Sequence, residues 1–167
     1  MPLAMLTAAR FLEFLALGLW LGGMVFFAFF VAPAAFAALP TREQAGNLVA
    51  LLLPRLYLLG TLCAAAYLIG LVLEQRSTGG NPRALLLPIA LVAVALLIIL
   101  YSHYGLGERL AALRIEMTSA FGSVDATPKD HALRLAFGRL HAFSSILLAF
   151  QLLVVLTLLI LTVRRLR

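Results

Sequence analysis

A set of residues in the last apolar segment recurs at helical spacing, so its members would share one face of a helix. The set comprises Arg134, Gly138, His141, Ser144, Ser145, Leu148 and Gln151. A second, polar set ends the preceding apolar segment and comprises Tyr101, His103, Tyr104 and Glu108. Imidazole nitrogens serve as axial ligands of haem, and they also form hydrogen bonds between helices. Both kinds of chemistry are open to these two segments.

The order of the segments predicts that many of these polar residues meet at one end of a helical bundle. Helices that alternate in direction bring to the same rim Arg55, His103, Glu108, Arg139 and His141. We interpret His103 and His141 as candidate cofactor-binding residues. The polar cluster around them comprises Arg55, Tyr101, Glu108, Arg139 and Ser144. Because polar side chains join helices within membranes, a hydrogen-bonded knot is favoured over a ligand, metal or cofactor site.

The sequence does not assemble a catalytic or metal-binding set. The single cysteine, Cys63, cannot form a Cys pair, and no His-x-x-x-His motif accompanies His103 and His141. Ser144 and Ser145 lie near His141, but on the same helix and with no carboxylate nearby in sequence to orient the imidazole. We therefore predict no catalytic residue, no bound metal and no enzymatic activity.

Composition indicates what kind of elements must hold these residues. Of the 167 residues, 63% are hydrophobic and 12% are charged, and the mean hydropathy is +1.06. Soluble domains have about 45–50% apolar and about 25% charged residues. The composition therefore excludes a soluble enzyme, a disordered chain and a nucleic-acid-binding protein. In a membrane protein, the net charge of +6 indicates contact with lipid headgroups.

Four apolar runs are long enough to cross a bilayer, which takes about 20 helical residues. The runs cover residues 11–36, 48–73, 84–103 and 140–163. Capping residues extend the predicted helices to about 6–38, 42–75, 82–121 and 128–165, within a single domain of residues 1–167. We therefore predict an all-α fold, an integral membrane four-helix bundle.

Local chemistry predicts where the second and third helices begin. Thr41 with Gln44 three residues later is typical of a capping box. Asn81 before Pro82 is typical of an N-cap followed by proline in the first turn. These signals place the start of the second helix well before its apolar run, and they place the start of the third at about residue 82.

The connection between the third and fourth helices predicts an extension outside the membrane. Gly122 is expected to end the third helix, and Thr127 before Pro128 is expected to begin the fourth. A helix over 128–163 would be about 54 Å long, whereas the hydrocarbon core is about 30 Å thick. We therefore expect helices 3 and 4 to extend beyond the bilayer as an antiparallel hairpin.

Two patterns in the first helix predict local contacts. Arg10 and Glu13 are three residues apart, a spacing typical of an ion pair at the membrane interface. Gly18 and Gly22 form a Gly-x-x-x-Gly motif, which is typical of close packing between membrane helices.

Several segments together resemble a known family of bacterial membrane proteins. Residues 137–145 read Phe-Gly-Arg-Leu-His-Ala-Phe-Ser-Ser. This segment resembles the Phe-x-x-Leu-His-x-x-Ser signature of bacterial membrane proteins related to transmembrane protein 205. Residues 17–33, 39–42 and 101–117 are similar too. The first helix also has a distant likeness to copper-resistance membrane proteins, although the chain lacks their Met- and His-rich clusters. The resemblance implies a four-helix membrane domain and marks for testing Phe137, Leu140, His141 and Ser144.

Three functions remain open. The first is a structural or accessory subunit without catalytic activity, packed against a larger membrane complex. The second is a transport or resistance component that uses the rim at Arg55, His103 and His141 as its point of access. The third is a haem- or chlorin-binding subunit of an electron-transfer or photosynthetic complex, with His103 or His141 as axial ligand.

The expected partners and location follow from the same features. Membrane lipids, other membrane-protein subunits or further copies of the chain are the expected partners, and nucleic acid is not. The cofactor, if one is bound, is unknown from sequence. We expect a multi-pass protein of the bacterial inner (cytoplasmic) membrane, with both termini in the cytoplasm because the tail 164–167 is short and basic.

Overall fold

Four long helices make up the protein in a computed structural model that describes residues 3–165. Helix α1 covers Leu3–Ala38, α2 Arg42–Thr78, α3 Pro82–Phe121 and α4 Ala132–Arg164. Each is long and apolar enough to cross a membrane, and residues 3–165 contain no strand. The predicted all-α membrane four-helix bundle is confirmed, and the chain is a multi-pass membrane protein. Residues 1, 2, 166 and 167, which complete the predicted domain, lie outside the described part.

The predicted caps of α2 and α3 are present. Thr41 Oγ1 accepts a hydrogen bond from the backbone N–H of Gln44 at 3.1 Å, immediately before α2. Asn81 Oδ1 accepts from the N–H of Arg83 at 3.0 Å, where α3 begins. Gly122 follows α3 with a φ of 82°, a left-handed conformation that glycine adopts without strain. Local sequence therefore determined these three boundaries.

The predicted start of α4 near Pro128 is wrong, because the helix begins at Ala132. His131 is its N-cap, and its Nδ1 accepts a hydrogen bond from the N–H of Leu133 at 3.3 Å. The Thr127 hydroxyl instead donates to the carbonyl of Ser123 at 3.1 Å. Thr127 therefore stabilises the turn after α3, and among the described residues its hydroxyl accepts no hydrogen bond from a backbone N–H that follows it.

Helices α1 and α2 form the most extensive contact between any two of the described helices. Two glycines of α2 allow their close approach. A Cβ at Gly60 would lie 2.7 Å from Trp20 Nε1, and one at Gly70 would lie 2.6 Å from Glu13 Cγ. A side chain at either position would therefore push α1 away from α2.

The Gly-x-x-x-Gly motif of α1 does not make the close packing that its sequence predicts. No heavy atom lies within 4 Å of a Cβ placed at Gly18 or Gly22, and both residues are exposed. That expectation is wrong for the described bundle, because the α1 face that packs on α2 carries Trp20 and Glu13 instead.

The apolar core fills the end of the bundle near the chain termini. Its largest fully buried side chains include Trp20, Tyr67, Leu17, Met24, Leu71, Val92, Val155 and Leu158. All four helices contribute to this set. Packing at this end therefore fixes how α1 and α2 lie against α3 and α4.

Two helices change their winding at the other end of the bundle. Residues Phe27–Val31 of α1 and Tyr101–Gly107 of α3 are π-helical. A π-helical turn takes in an extra residue, so the side chains after it face a new direction. Such turns are rare within α-helices and are frequent at functional sites.

Candidate functional site

A cleft of about 1230 Å³ separates the helices at the end opposite the chain termini. All four helices line it: α1 through its last turns, α2 through its first four turns, α3 through its second half and α4 through its first half. Both π-helical segments contribute lining residues, among them Phe27, Phe29, His103 and Tyr104. The core packing at the termini end does not continue here.

The lining of the cleft changes from polar to apolar along its length. On α4 the lining residues run from Arg134 through His141 and Ser144 to Leu148 and Leu152. At 1.5 Å per residue, this stretch is about 27 Å long. On α2 the lining changes in the same sense, because charged residues in its first turn are followed by Val49, Leu53 and Pro54. The cleft therefore has a charged mouth near the turns and a mainly apolar interior, whose polar lining on α3 includes Ser102, His103 and Glu108.

Four of the seven predicted site residues line this cleft, and three do not. The lining includes His103, Glu108, His141 and Ser144. It does not include Arg55, Tyr101 or Arg139, which are all exposed elsewhere on the surface. Four of the predicted side chains therefore lie at the cleft, and whether they form a functional site stays a prediction.

The predicted hydrogen-bonded knot is absent from the described residues. Within 3–165, none of the seven predicted side chains forms a hydrogen bond or an ion pair with another. The expected partners of His141, namely Arg55, His103 and Glu108, do not contact it in this way. The physical reason is direction, because Arg55, Tyr101 and Arg139 are exposed outside the cleft that the other four residues line.

The two histidines have aromatic neighbours instead. The His103 ring lies edge-on to Tyr57, with centroids 6.0 Å apart, and to Tyr104 at 4.5 Å. The His141 ring is parallel to that of Phe137, with centroids 6.2 Å apart. Both imidazoles therefore lie in the wall of the cleft, with apolar faces beside them. In the described residues no group of three His, Cys, Asp or Glu side chains is placed to hold a metal ion.

Arg114 lies at the charged mouth and contacts two other helices. Its Nη1 donates to Asn47 Oδ1 of α2 at 2.5 Å, and its guanidinium lies 5.6 Å from the centroid of the Phe137 ring of α4. A Cβ at Gly46 would lie 3.4 Å from Arg114 Nη2, so the guanidinium rests close against the backbone of α2. The side chain therefore spans the outer end of the cleft.

The turn between α3 and α4 is attached to the start of α2 by charged groups. Glu43 Oε2 accepts from the N–H of Val124 at 3.0 Å, and Asp125 Oδ2 accepts from the N–H of Glu43 at 3.0 Å. Arg134 Nη2 lies 4.0 Å from Asp125 Oδ1, and Arg134 also donates to the carbonyl of Val124. The carboxylates of Glu43 and Asp125 are therefore engaged in holding the mouth of the cleft together.

A second charged group of residues lies at the opposite end of the bundle, in the core. Arg165 Nη2 lies 2.5 Å from Glu13 Oε2, and its Nη1 lies 2.9 Å from Glu74 Oε2. Arg10 Nε lies 2.9 Å from Glu74 Oε1. The predicted pair of Arg10 with Glu13 is therefore wrong, because each pairs with a residue from another helix.

Sequence reasoning missed this buried charge network almost entirely. The available signal was that Glu13 and Glu74 lie within or beside apolar runs, where an acidic residue requires a partner. The spacing along the chain suggested only the nearest cation. The true partner of Glu13 becomes apparent only when α1 and the end of α4 are known to be neighbours.

Comparison with known families gives a match over residues 15–119, to the family described as Domain of unknown function (DUF4149). The chain belongs to this family. The match covers most of α1, all of α2 and most of α3, so three of the four walls of the cleft lie mainly within it. The family is uncharacterised, and the match shows no link to transmembrane protein 205 or to copper resistance. No curated protein and no solved structure matches the chain.

Proposed function

We propose that this member of the DUF4149 family is a non-catalytic membrane component that binds a large amphipathic molecule in the cleft. The observation that supports the proposal is the change in the lining from a charged mouth to an apolar interior. An amphipathic molecule with a polar head and an apolar body has the same distribution of polarity. Its body would replace the helix contacts that are missing at this end of the bundle.

The size of the cleft favours a ligand of many atoms. Ligand pockets are typically about 300–1,000 Å³, and this cleft is somewhat larger at about 1230 Å³. In a membrane the nearest molecules of this size and polarity are lipids or lipid-like compounds. The π-helical turns in two of the cleft walls support the proposal, because such turns often accompany functional sites.

The cellular role that we propose is that of an accessory subunit in the bacterial cytoplasmic membrane, with both termini in the cytoplasm. Exposed aromatic side chains on α1, among them Phe11, Phe26, Phe29 and Phe30, offer a surface to lipid or to another membrane subunit. A transport or resistance component related to transmembrane protein 205 is the alternative role, since such a component also requires a binding cleft. In this proposal α3 and α4 project beyond the bilayer, so that the charged mouth lies at headgroup level.

Filling the cleft tests the proposal. Gly138 of α4 lines the cleft, and no heavy atom lies within 4 Å of a Cβ placed there, so phenylalanine fits without a clash at the backbone. Gly138→Phe should reduce the lipid that remains bound to the purified protein in an uncharged detergent, measured by native mass spectrometry. Its thermal stability should not fall, since glycine is a weaker helix former than phenylalanine.

Gly18→Phe is the matched control for this experiment. Gly18 is an exposed helical glycine with equally open surroundings, but it lies outside the cleft. The control should retain as much lipid as the wild-type protein. Equal lipid retention in wild type and Gly138→Phe would show that the cleft is not the binding site.

A haem- or chlorin-binding subunit is the second candidate function. It is favoured by the position of His103 and His141, which both line the cleft and both have aromatic neighbours. An absorption spectrum of the protein purified from its native membrane separates the two candidates. A visible band that is lost in His103→Ala or His141→Ala would favour the haem- or chlorin-binding function. A spectrum without a visible band would exclude a bound haem or chlorin in that preparation.

A further inference from the structure

Arg114 differs from the described cations that pair with carboxylates at the turn or in the core, because it forms no ion pair in the described part of the chain. The carboxylate of Glu43 acts on it only from beyond 4.0 Å. In residues 3–165, no carboxylate oxygen lies within 4.0 Å of its guanidinium. The side chain is half-buried, and its contacts are an amide oxygen of Asn47 and the ring of Phe137. A guanidinium partly withdrawn from water favours an anionic partner. The cleft beside it is the space from which such a partner would come.

Arg42 provides a second cation at the same mouth. It lines the cleft one helical turn before Gly46, the residue against which the Arg114 guanidinium rests. Arg42 also has no carboxylate within 4.0 Å among the described residues. Arginine forms paired hydrogen bonds to the oxygens of a phosphate, and these two arginines line the same mouth from neighbouring helices.

The acidic residues of the mouth do not neutralise these two arginines directly. Glu43 accepts a hydrogen bond from the N–H of Val124, and Asp125 accepts one from the N–H of Glu43 and lies 4.0 Å from Arg134. Glu108 lines the cleft without an ion-pair partner in the described chain, but it lies six residues nearer the membrane centre than Arg114, about 9 Å along α3. The outer mouth therefore presents two cations to a ligand.

We propose that the cleft binds a phospholipid, whose headgroup phosphate is held by Arg114 and Arg42 and whose acyl chains lie along the apolar interior. This inference rests on the proposed function, and it adds the chemical class of the ligand. The lining of α4 from His141 to Leu153 is about 18 Å long, with polar side chains at His141, Ser144 and Ser145 and apolar ones from Leu148 onward. Half of the hydrocarbon core is about 15 Å thick. An acyl chain that starts at the arginines therefore passes these polar residues and reaches the apolar end of the cleft.

A lipid accounts for the lining better than a soluble anion or a protein helix does. A free phosphate ion would contact the arginines but leave the apolar interior unfilled. A helix of a partner subunit would fill the interior, but it would need an acidic residue at the level of the two arginines. A phospholipid supplies both the anion and the apolar body, and it is present at high concentration in every membrane.

The experiment measures binding of defined probes to the intact chain in uncharged detergent by native mass spectrometry. The probes are palmitoyl-oleoyl phosphatidylglycerol, the diacylglycerol with the same two chains, and inorganic phosphate. Phosphatidylglycerol should bind at least tenfold more tightly than the diacylglycerol, and inorganic phosphate should not bind measurably at the same concentration. Arg114→Gln should weaken phosphatidylglycerol binding about tenfold, the scale of one charge-assisted contact, and leave diacylglycerol binding unchanged.

Matched arginines outside the cleft serve as controls. Arg109 is exposed on α3 and Arg55 is exposed on α2, and neither lines the cleft. Arg109→Gln and Arg55→Gln change the net charge as Arg114→Gln and Arg42→Gln do, and they should leave phosphatidylglycerol binding within twofold of wild type. Arg114→Lys, which keeps the charge but loses the paired hydrogen bonds, should give an intermediate affinity. Thermal unfolding of each variant shows whether the bundle is intact.

The outcomes separate this inference from the proposed function. If Gly138→Phe lowers binding of both lipids while Arg114→Gln and Arg42→Gln behave like their controls, the cleft binds an amphipathic molecule but the phosphate assignment is wrong. A different result is that inorganic phosphate competes with phosphatidylglycerol and that Gly138→Phe changes the binding of neither lipid. In that case the arginines form an ion site, and the cleft is not a lipid site. If Arg114→Gln unfolds, Arg42→Gln alone tests the phosphate assignment. Its affinity for phosphatidylglycerol should fall a few-fold, and that of its control, Arg55→Gln, should not.

Discussion

Arg165 Nη2 lies 2.5 Å from Glu13 Oε2, although 152 residues separate the two in the chain. The Glu13 side chain is 0% exposed and that of Arg165 is 23% exposed, so the pair is largely withdrawn from solvent. The same guanidinium also contacts Glu74 of α2. One residue at the end of α4 is therefore linked by charge to both α1 and α2. At this end of the bundle, Arg165 joins three helices by charge, and Arg10 adds a second link between α1 and α2.

The first prediction concerns the loss of that contact. Glu13→Gln should lower the free energy of unfolding by about 3 kcal/mol, because it removes one partner of a buried pair and leaves the other charge under-compensated. Chemical denaturation in detergent micelles, followed by far-ultraviolet circular dichroism, measures the change. Glu116→Gln is the control, because Glu116 is exposed and forms no ion pair among the described residues. The control should stay within about 0.5 kcal/mol of wild type.

A double-mutant cycle separates the pair from the site around it. Glu13→Gln combined with Arg165→Gln should lower the free energy of unfolding by less than the sum of the two single changes. In the double variant, neither residue of the pair is left as a charge without its partner. Purely additive costs would contradict the pair as a source of stability. They would indicate that each side chain acts through its other contacts, such as the one between Arg165 and Glu74.

The helices and their caps could be predicted from sequence because they depend on neighbouring residues. The hydrogen bonds at Thr41 and Asn81 span three and two residues, and the helix end at Gly122 requires only a left-handed backbone. The start of α4 was missed because two signals competed there. Thr127 stabilises the preceding turn, and His131, which is a less common N-cap, begins the helix.

The contacts between helices could not be predicted in the same way. The partner of Glu13 is in another helix, so spacing along α1 indicated Arg10, which in fact pairs with Glu74. The cleft is a place where packing is missing, and an apolar run looks the same whether it faces core, lipid or a cavity. Sequence therefore indicated the end of the bundle where His103 and His141 lie but predicted contacts between them that the cleft prevents.

The second prediction concerns His141. In lipid-free detergent, His141→Ala and His141→Gln should each change the free energy of unfolding by less than about 0.5 kcal/mol, because the imidazole forms no hydrogen bond with the described residues. Tyr67→Phe is the comparison. It removes a buried hydroxyl that lies 3.1 Å from Thr162 Oγ1, and it should cost about 1 kcal/mol. A loss in His141→Ala as large as that in Tyr67→Phe would contradict the prediction.

The third prediction concerns the turn at the mouth of the cleft. Asp125→Asn should loosen this turn, because the carboxylate accepts from the N–H of Glu43 at the start of α2, where a negative charge is favoured. The expected loss is about 1 kcal/mol of the free energy that keeps the turn closed, so the open form of the turn becomes roughly fivefold more populated. Hydrogen exchange of the Val124 amide, which donates to Glu43, reports the change. Asp130→Asn, at an exposed position of the same connection, should leave this amide as protected as in wild type.

The last prediction is that the chain termini and the connection between α2 and α3 face the cytoplasm. Short basic segments next to membrane helices stay on that side, and the tail 164–167 contains three arginines, of which the last lies outside the described residues. Arg165 is neutralised by its pairs with Glu13 and Glu74, so the orientation depends on the remaining two arginines of the tail and on Arg76 and Arg83.

Single cysteines at Thr78 and Lys129, both exposed, should report opposite sides in a Cys63→Ala background. In inside-out vesicles a membrane-impermeant maleimide should label the cysteine at position 78 and spare the one at 129, whereas right-side-out vesicles should give the opposite pattern. Labelling of position 129 in inside-out vesicles would mean that the mouth of the cleft, with Arg114, opens to the cytoplasm.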